Sequence, residues 1–165
     1  MPMSMSQRAL VVLLLCLGGC TQGVEDSPVT VITSEEFVST ALEARLDVAA
    51  DRARARGFSP EEGVWRGFIV HRGSDVHEVL LQSGACHLFV AAGSEAIEAF
   101  ELAVYDSTGS EASRSGGSPA VRICPSQSGV YFVALRATGS GLFSVRRFQG
   151  PSGLDLRLDD LTGDE

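Results

Sequence analysis

His71, His77 and His87 are the only imidazoles in this chain of 165 residues. Imidazole is the side chain best suited to moving a proton or holding a transition metal near neutral pH. His77-Glu78 opens like the H-E-x-x-H zinc motif, which needs a second His four residues after the first. Leu81 fills that place, and the stretch reads as strand, so no metal site is assigned. Nucleophilic catalysis asks for a Ser or Cys held beside a base and an orienting acid. The serines fall in turn-like clusters, no G-x-S-x-G elbow is present, and Gly139-Ser140-Gly141 reads as a hairpin turn. No catalytic residue and no cofactor follow. Glu101 and Asp106 lie near each other on one strand. Successive strand residues alternate faces, so these two point to opposite sides and Asp106 reads as a turn acid. Trp65, Phe68, Tyr105, Tyr131, Phe132 and Phe148 could include a sugar-stacking platform, although most strand aromatics serve a core.

The elements that must position these residues begin after an apolar leader. The run Ala9–Leu17 is shorter than the roughly 20 residues a membrane-spanning helix needs. Arg8 precedes it, and Gly18 and Gly19 follow. That order is a secretory signal peptide over residues 1–19, in preference to a buried helix. Leu17-Gly18-Gly19-Cys20 resembles the bacterial lipobox. The resemblance implies cleavage before Cys20, lipidation of its thiol, and membrane attachment through acyl chains. The inner-membrane retention signal that goes with that motif is an Asp in the next position. Thr21 stands there, so the outer membrane is the expected address. Cys16 leaves with the leader and Cys20 takes lipid. Cys86 and Cys124 remain in a compartment where disulfides persist, and they are expected to pair. The alternative is two buried free thiols.

Composition narrows the partners. Removing residues 1–19 takes away Arg8 and no acid, so the net charge moves from −8 to −9. Nucleic acid and anionic lipid are poor partners for such a chain. All the basic residues are Arg, with no Lys and no Asn anywhere, which reads as the codon usage of a GC-rich genome.

Residues 20–32 are largely polar with a Pro and suit a tether. A helix is expected over 33–57. Thr33 and Glu36 form a capping box, and Val38, Leu42, Leu46, Ala49 and Ala53 mark one face. Arg52, Arg54 and Arg56 suit the last turn as a solvated helix end, and Gly57 is the expected C′ residue. From residue 62 the texture turns to short apolar runs between Gly, Ser and Asp breaks. Strands are expected at Val64–His71, Val76–Gln82, Cys86–Ala91, Phe100–Asp106, Ala120–Cys124, Val130–Arg136 and Leu142–Phe148. In two of them the parity is plain. Leu88 and Val90 oppose His87 and Phe89, while Phe100, Leu102 and Val104 oppose Glu101 and Ala103. This pattern reads as an antiparallel sandwich or barrel. The run "SEASRSGGS" reads as a flexible loop. Residues 150–165 form an acidic tail, in which Leu154, Leu156 and Leu158 alternate as a further edge strand would.

The stretches "GACHLFVAAG", "FELAVYDSTGS" and "VRICPSQSGVYFVALRATGSGLF" together resemble the pre-peptidase C-terminal-like domain, in the version common in myxobacterial lipoproteins and secreted proteins. The matching positions are Gly84, Cys86, Gly93, Leu102, Tyr105, Asp106, Cys124, Pro125, Gly129 and Tyr131. The resemblance covers residues 62–149 and implies a jelly-roll-like β-sandwich of about seven to eight strands. Two acids of the family pattern are Ala99 and Glu101 here, which implies a weakened cation site. Such domains are non-catalytic accessory modules. The expectation is a lipid-anchored envelope module contacting protein or polysaccharide. The alternatives are a purely structural envelope lipoprotein, or a hydrolase that brings a His and an acid onto a Ser in one cleft.

Overall fold

The computed structural model describes residues 34–153 together with Leu158 and Leu161, with side chains from Thr40 onward. The leader over 1–19, Cys20, the tether over 20–32, the Thr33–Glu36 capping box, Val38, Leu154 and Leu156 lie outside the described residues or side chains. Within the described chain, no helix is long and apolar enough to cross a membrane.

One helix, α1 (Ser34–Ala55), precedes eight strands. These are β1 (Ser59–Ile69), β2 (Ser74–Leu81), β3 (Ala85–Gly93), β4 (Ile97–Asp106), β5 (Glu111–Arg114), β6 (Ala120–Ile123), β7 (Gly129–Gly139) and β8 (Gly141–Pro151). They form two four-stranded antiparallel sheets, ordered β1-β8-β3-β6 and β2-β7-β4-β5. We call these sheet A and sheet B.

The pairing is nested. β1 pairs with β8, β2 with β7, β3 with β6, and β4 with β5. That is one long hairpin whose tip is the β4–β5 turn, wound so that its two arms spread over two sheets. This winding is the jelly roll. The expected β-sandwich behind a single helix is therefore present.

The winding also corrects the reading of Gly139–Gly141 as a hairpin turn. β7 belongs to sheet B and β8 to sheet A, so the turn is a corner between sheets. Gly139 has φ 90°, and a Cβ on it would run into the Ala96 carbonyl, so only glycine fits.

Alternation fills the sandwich. Phe100, Leu102 and Val104 of β4 and Tyr131, Val133 and Leu135 of β7 meet Phe89, Val121, Phe143 and Val145 of sheet A in one core. The opposite parity of sheet A makes a second core. Cys86, Leu88, Val90 and Ala92 of β3 pack with Ala120 and Phe148 under Leu42, Leu46, Ala49, Ala50 and Ala53 of α1. The helix face expected from the sequence is the one buried.

The α1 C-terminus closes as a Schellman motif. Phe58 N donates to Ala53 O at 3.0 Å and Gly57 N to Arg54 O at 2.9 Å, with Gly57 at φ 85°. Phe58 then sinks into the second core, seated over Gly150, where a Cβ would meet its ring at 2.8 Å. Charges hold the helix laterally. Arg146 reaches Glu43 at 2.9 Å and Asp47 at 2.7 Å, and Arg45 donates to Gly93 O at 2.7 Å.

Two segments differ from the sequence expectation. The run read as a flexible loop contains β5. It has few apolar residues and is held by hydrogen bonds instead. Leu102 N donates to Ser115 Oγ at 3.1 Å, Ser115 N returns a bond to Leu102 O at 2.9 Å, and Ser113 Oγ donates to Arg122 O at 2.6 Å. In the tail, Gly150 and Pro151 still belong to β8, Leu158 sits in a turn, and Leu161 is buried in the α1 core.

Candidate functional site

Cys86 and Cys124 stand directly across from each other, one step beyond the His87–Ile123 pair that ends the β3–β6 ladder. They are at disulfide distance, with Cα atoms 4.1 Å apart. Facing residues of an antiparallel pair come this close only at non-hydrogen-bonded positions. The pair clamps β6, a strand of four residues at the edge of sheet A.

Each histidine is engaged by its surroundings. His71 Nδ1 accepts from Gly139 N at 3.0 Å, and His71 N donates to Ser140 Oγ at 2.7 Å, so this residue fixes the β7–β8 corner. His77 stacks on Trp65 with ring centroids 4.8 Å apart. Trp65 Nε1 donates to Asp75 Oδ2 at 2.9 Å, and its edge meets Phe143. His87 is fully buried between the sheets. Arg147 Nη2 lies 3.2 Å from His87 Nδ1, and a guanidinium can only donate, so Nδ1 accepts. Nε2–H then faces Gln82 O at 3.3 Å. Glu61 pairs with Arg147 and lies 3.4 Å from the same Nδ1. A His and an acid do converge here, but the imidazole is spent on holding β1, β2 and β8 together. Of these groups Arg147 also lines a cleft of about 280 Å³ between the edge strands β1 and β2, together with Trp65, His77, Val79 and Phe89.

The two candidate cation acids are separated as the alternation argument requires. Asp106 Oδ1 accepts from Thr108 N at 2.9 Å, Thr108 Oγ1 at 2.6 Å and Ser110 N at 3.0 Å. Those bonds, the Thr108 hydroxyl first, hold its carboxyl below the usual aspartate range. Glu101 lies on the outer face of sheet B and pairs with Arg114, which also holds Glu111. Among the described residues, no three His, Cys, Asp or Glu side chains gather to hold a metal ion.

Among the described residues, large apolar side chains are exposed at Val64, Phe68 and Val70, on and just after β1, and on the outer face of sheet B. The residues of that outer face line up in rows across the strands. Val76 stands opposite Ala134, and Ala134 opposite Ala103. Glu78 faces Phe132, and Phe132 faces Tyr105. Leu80 faces Val130. Leu80 is 66% exposed, Val76 57% and Val130 37%, while Phe132 and Tyr105 are partly exposed. Contiguous apolar surface of this kind marks interaction sites. Of the six candidate aromatics, Phe148 and Tyr131 are buried, Trp65 is stacked, and Phe68 stands alone on β1 at 64% exposure. Tyr105 and Phe132 alone are cross-strand neighbours. The arrangement can hold a flat apolar or ring-bearing ligand, and its rim of Glu78, Glu111 and Arg136 can orient polar groups. The sequence reading named Tyr105 and Phe132 but not Val76, Leu80 or Val130. β2 carries apolar residues on both parities, so its pattern does not say which parity faces water.

A scan against protein-family models and a search of the curated proteins both find no match.

Proposed function

We propose that this chain is a lipid-anchored, non-catalytic module of the bacterial cell envelope that contacts an envelope protein or polysaccharide through the outer face of sheet B. The observation that carries the reading is the uncovered apolar face of Val76, Leu80, Val130, Phe132 and Tyr105. The engagement of all three histidines in structural contacts favours a binding role over hydrolysis. The lipobox-like Leu17–Cys20 and the resemblance to pre-peptidase C-terminal-like domains support the anchor and the accessory role. Cys20 is then the lipidated residue, and Thr21 in place of a retention Asp supports the outer membrane.

Two measurements test this. A photo-crosslinking amino acid placed at Phe132 or Leu80 in native cells should trap an envelope component, while one at Arg54 on α1 should not. Equal trapping at both positions, or none at either, overturns the reading. Cys20→Ser should release the protein from the membrane fraction or leave an uncleaved precursor. Unchanged fractionation with a mature N-terminus elsewhere removes the anchor.

A further inference from the structure

Most described arginines have a hydrogen-bonding or acidic partner. Arg45 bonds the Gly93 carbonyl, Arg54 pairs with Asp51, Arg66 and Arg146 pair with Glu43, Arg114 holds Glu101 and Glu111, and Arg147 holds Glu61. Arg52, Arg56 and Arg122 are also engaged. Arg72 and Arg136 carry no such bond among the described residues, and both line the same open groove of about 620 Å³. Ser74, Thr138, Gly117 and Glu101 line it with them. Arg114 shares its single charge between Glu101 and Glu111, but Arg72 and Arg136 outnumber Glu101 in the lining, so the groove keeps an excess of positive charge. Arg72 is the one non-glycine residue at positive φ among the described residues, at 58°, with its N–H donating to Ala137 O at 2.9 Å. That strained backbone sets the side chain at the groove. Between residues 40 and 153 the chain carries 12 acids and 11 arginines, so two arginines without an acidic partner make this groove a local excess of positive charge.

The groove is continuous with the bare face. Arg136, Ala134 and Phe132 follow one another on the same side of β7, with Ser74 and Glu101 flanking Arg136 across the strands. Four residue steps of strand lead from Arg136 to Phe132, about 13 Å. We propose that this combined surface binds an anionic polysaccharide. Its carboxylate or phosphate groups are held by Arg72 and Arg136, and its sugar rings lie on Phe132 and Tyr105. A guanidinium matches either oxyanion with two parallel N–H donors. The order of cation, small apolar residue and paired aromatic rings suits a repeating chain that carries an acid on one unit and a ring face on another. This inference rests on the reading of sheet B as the binding face and names its ligand class.

The test is calorimetric titration of the full-length protein in nonionic detergent with a short oligogalacturonate. A neutral gluco-oligosaccharide of equal length, monomeric galacturonate and inorganic phosphate serve as comparators. The acidic oligomer should bind at least about tenfold more tightly than each comparator, and binding should weaken as salt rises. Arg72→Gln and Arg136→Gln should each weaken it about tenfold, Arg136→Lys less, and Tyr105→Ala with Phe132→Ala to a similar degree. Arg54→Gln should leave it unchanged. Unaltered melting temperatures of these exposed-site variants assign the losses to binding. Absence of acidic-oligomer binding, equal binding of the neutral oligomer, or a double arginine variant within about twofold of wild type overturns the proposal. Phosphate binding as tightly as the oligomer overturns the polysaccharide and leaves a plain anion site. Trapping of a partner at Phe132 alongside any of these failures keeps the binding-face reading and removes only its acidic glycan. Loss of both removes the two together.

Discussion

β3 and β7 are the same kind of strand in opposite situations. Each sits inside its own sheet, between two neighbours, and each carries apolar residues on both parities. In β3, "ACHLFVAAG", one parity enters the sandwich core and the other is roofed by α1, so all but the first residue are buried. In β7, "GVYFVALRATG", the parity of Tyr131, Val133, Leu135 and Ala137 enters the core, while Val130, Phe132 and Ala134 look outward with no roof among the described residues. A single helix covers one of two faces that are both built to be covered. Apolar side chains on the bare face contribute little to folding, so their presence points to a second surface that completes them.

The comparison breaks most visibly at the roofed face. Phe148→Ala removes a ring wholly buried between β8 and α1 and should cost about 3–5 kcal/mol in chemical denaturation. A loss below about 1 kcal/mol means that α1 is not seated on sheet A.

The edges of the sheets differ as well. β6 of sheet A has the Cys86–Cys124 pair, whereas β5 of sheet B is held by its turn, the Ser113 and Ser115 hydrogen bonds and Arg114. Replacing both cysteines with alanine, or reducing the wild type, should cost about 3–4 kcal/mol in the chain-entropy model for a loop of this length. Identical melting of reduced and unreduced protein, with two alkylatable thiols in unreduced denatured material, removes the bridge.

A smaller effect is expected at the sheet B edge. The folded carboxyl of Asp106 titrates below its ordinary value of 3.8, chiefly through the Thr108 hydroxyl. Its contribution is therefore complete above that value and lost as pH falls through the lower, folded one. Asp106→Asn should flatten the acid limb of the stability–pH curve and leave the neutral region less changed. An unaltered acid limb shows that the turn does not depend on the charge.

The smallest change in stability belongs to the bare face. Val76→Ser with Leu80→Ser should stay within about 0.5 kcal/mol of wild type per site. The same pair should abolish photo-crosslinking from Phe132. A large destabilisation would mean that another part of the chain covers this face in the native protein, and the contrast between β3 and β7 would vanish.

What could be read in advance followed from periodicity and caps. The step of three and four residues through Leu42, Leu46, Ala49 and Ala53, ended by Gly57, places α1 and its buried side without any structure. Phe100, Leu102 and Val104 do the same for β4. β5 escaped because its stability comes from Ser113 and Ser115 bonding to neighbouring carbonyl and amide groups, and a hydrophobic pattern carries no trace of that. The bare face escaped for another reason. An apolar run on both parities predicts two covers, and which of them the chain supplies itself depends on where the helix lands. The convergence of Arg72 with Arg136 spans a turn and three strands, so no local spacing encodes it.

The nested winding has a consequence for how the molecule comes into being. Trp65 of the first strand waits for Val145 of the last, and Asp75 for Leu135, so the outermost pairings close the longest loops. Long-range pairing of this kind slows folding, placing all-β domains in the millisecond-to-second range. The tip, β4 with β5, has the shortest loop to close, and its Asp106 turn is a natural nucleus. A chain delivered N-terminus first exposes β1 and β2 long before their partners arrive. The sandwich closes only when β8 has emerged.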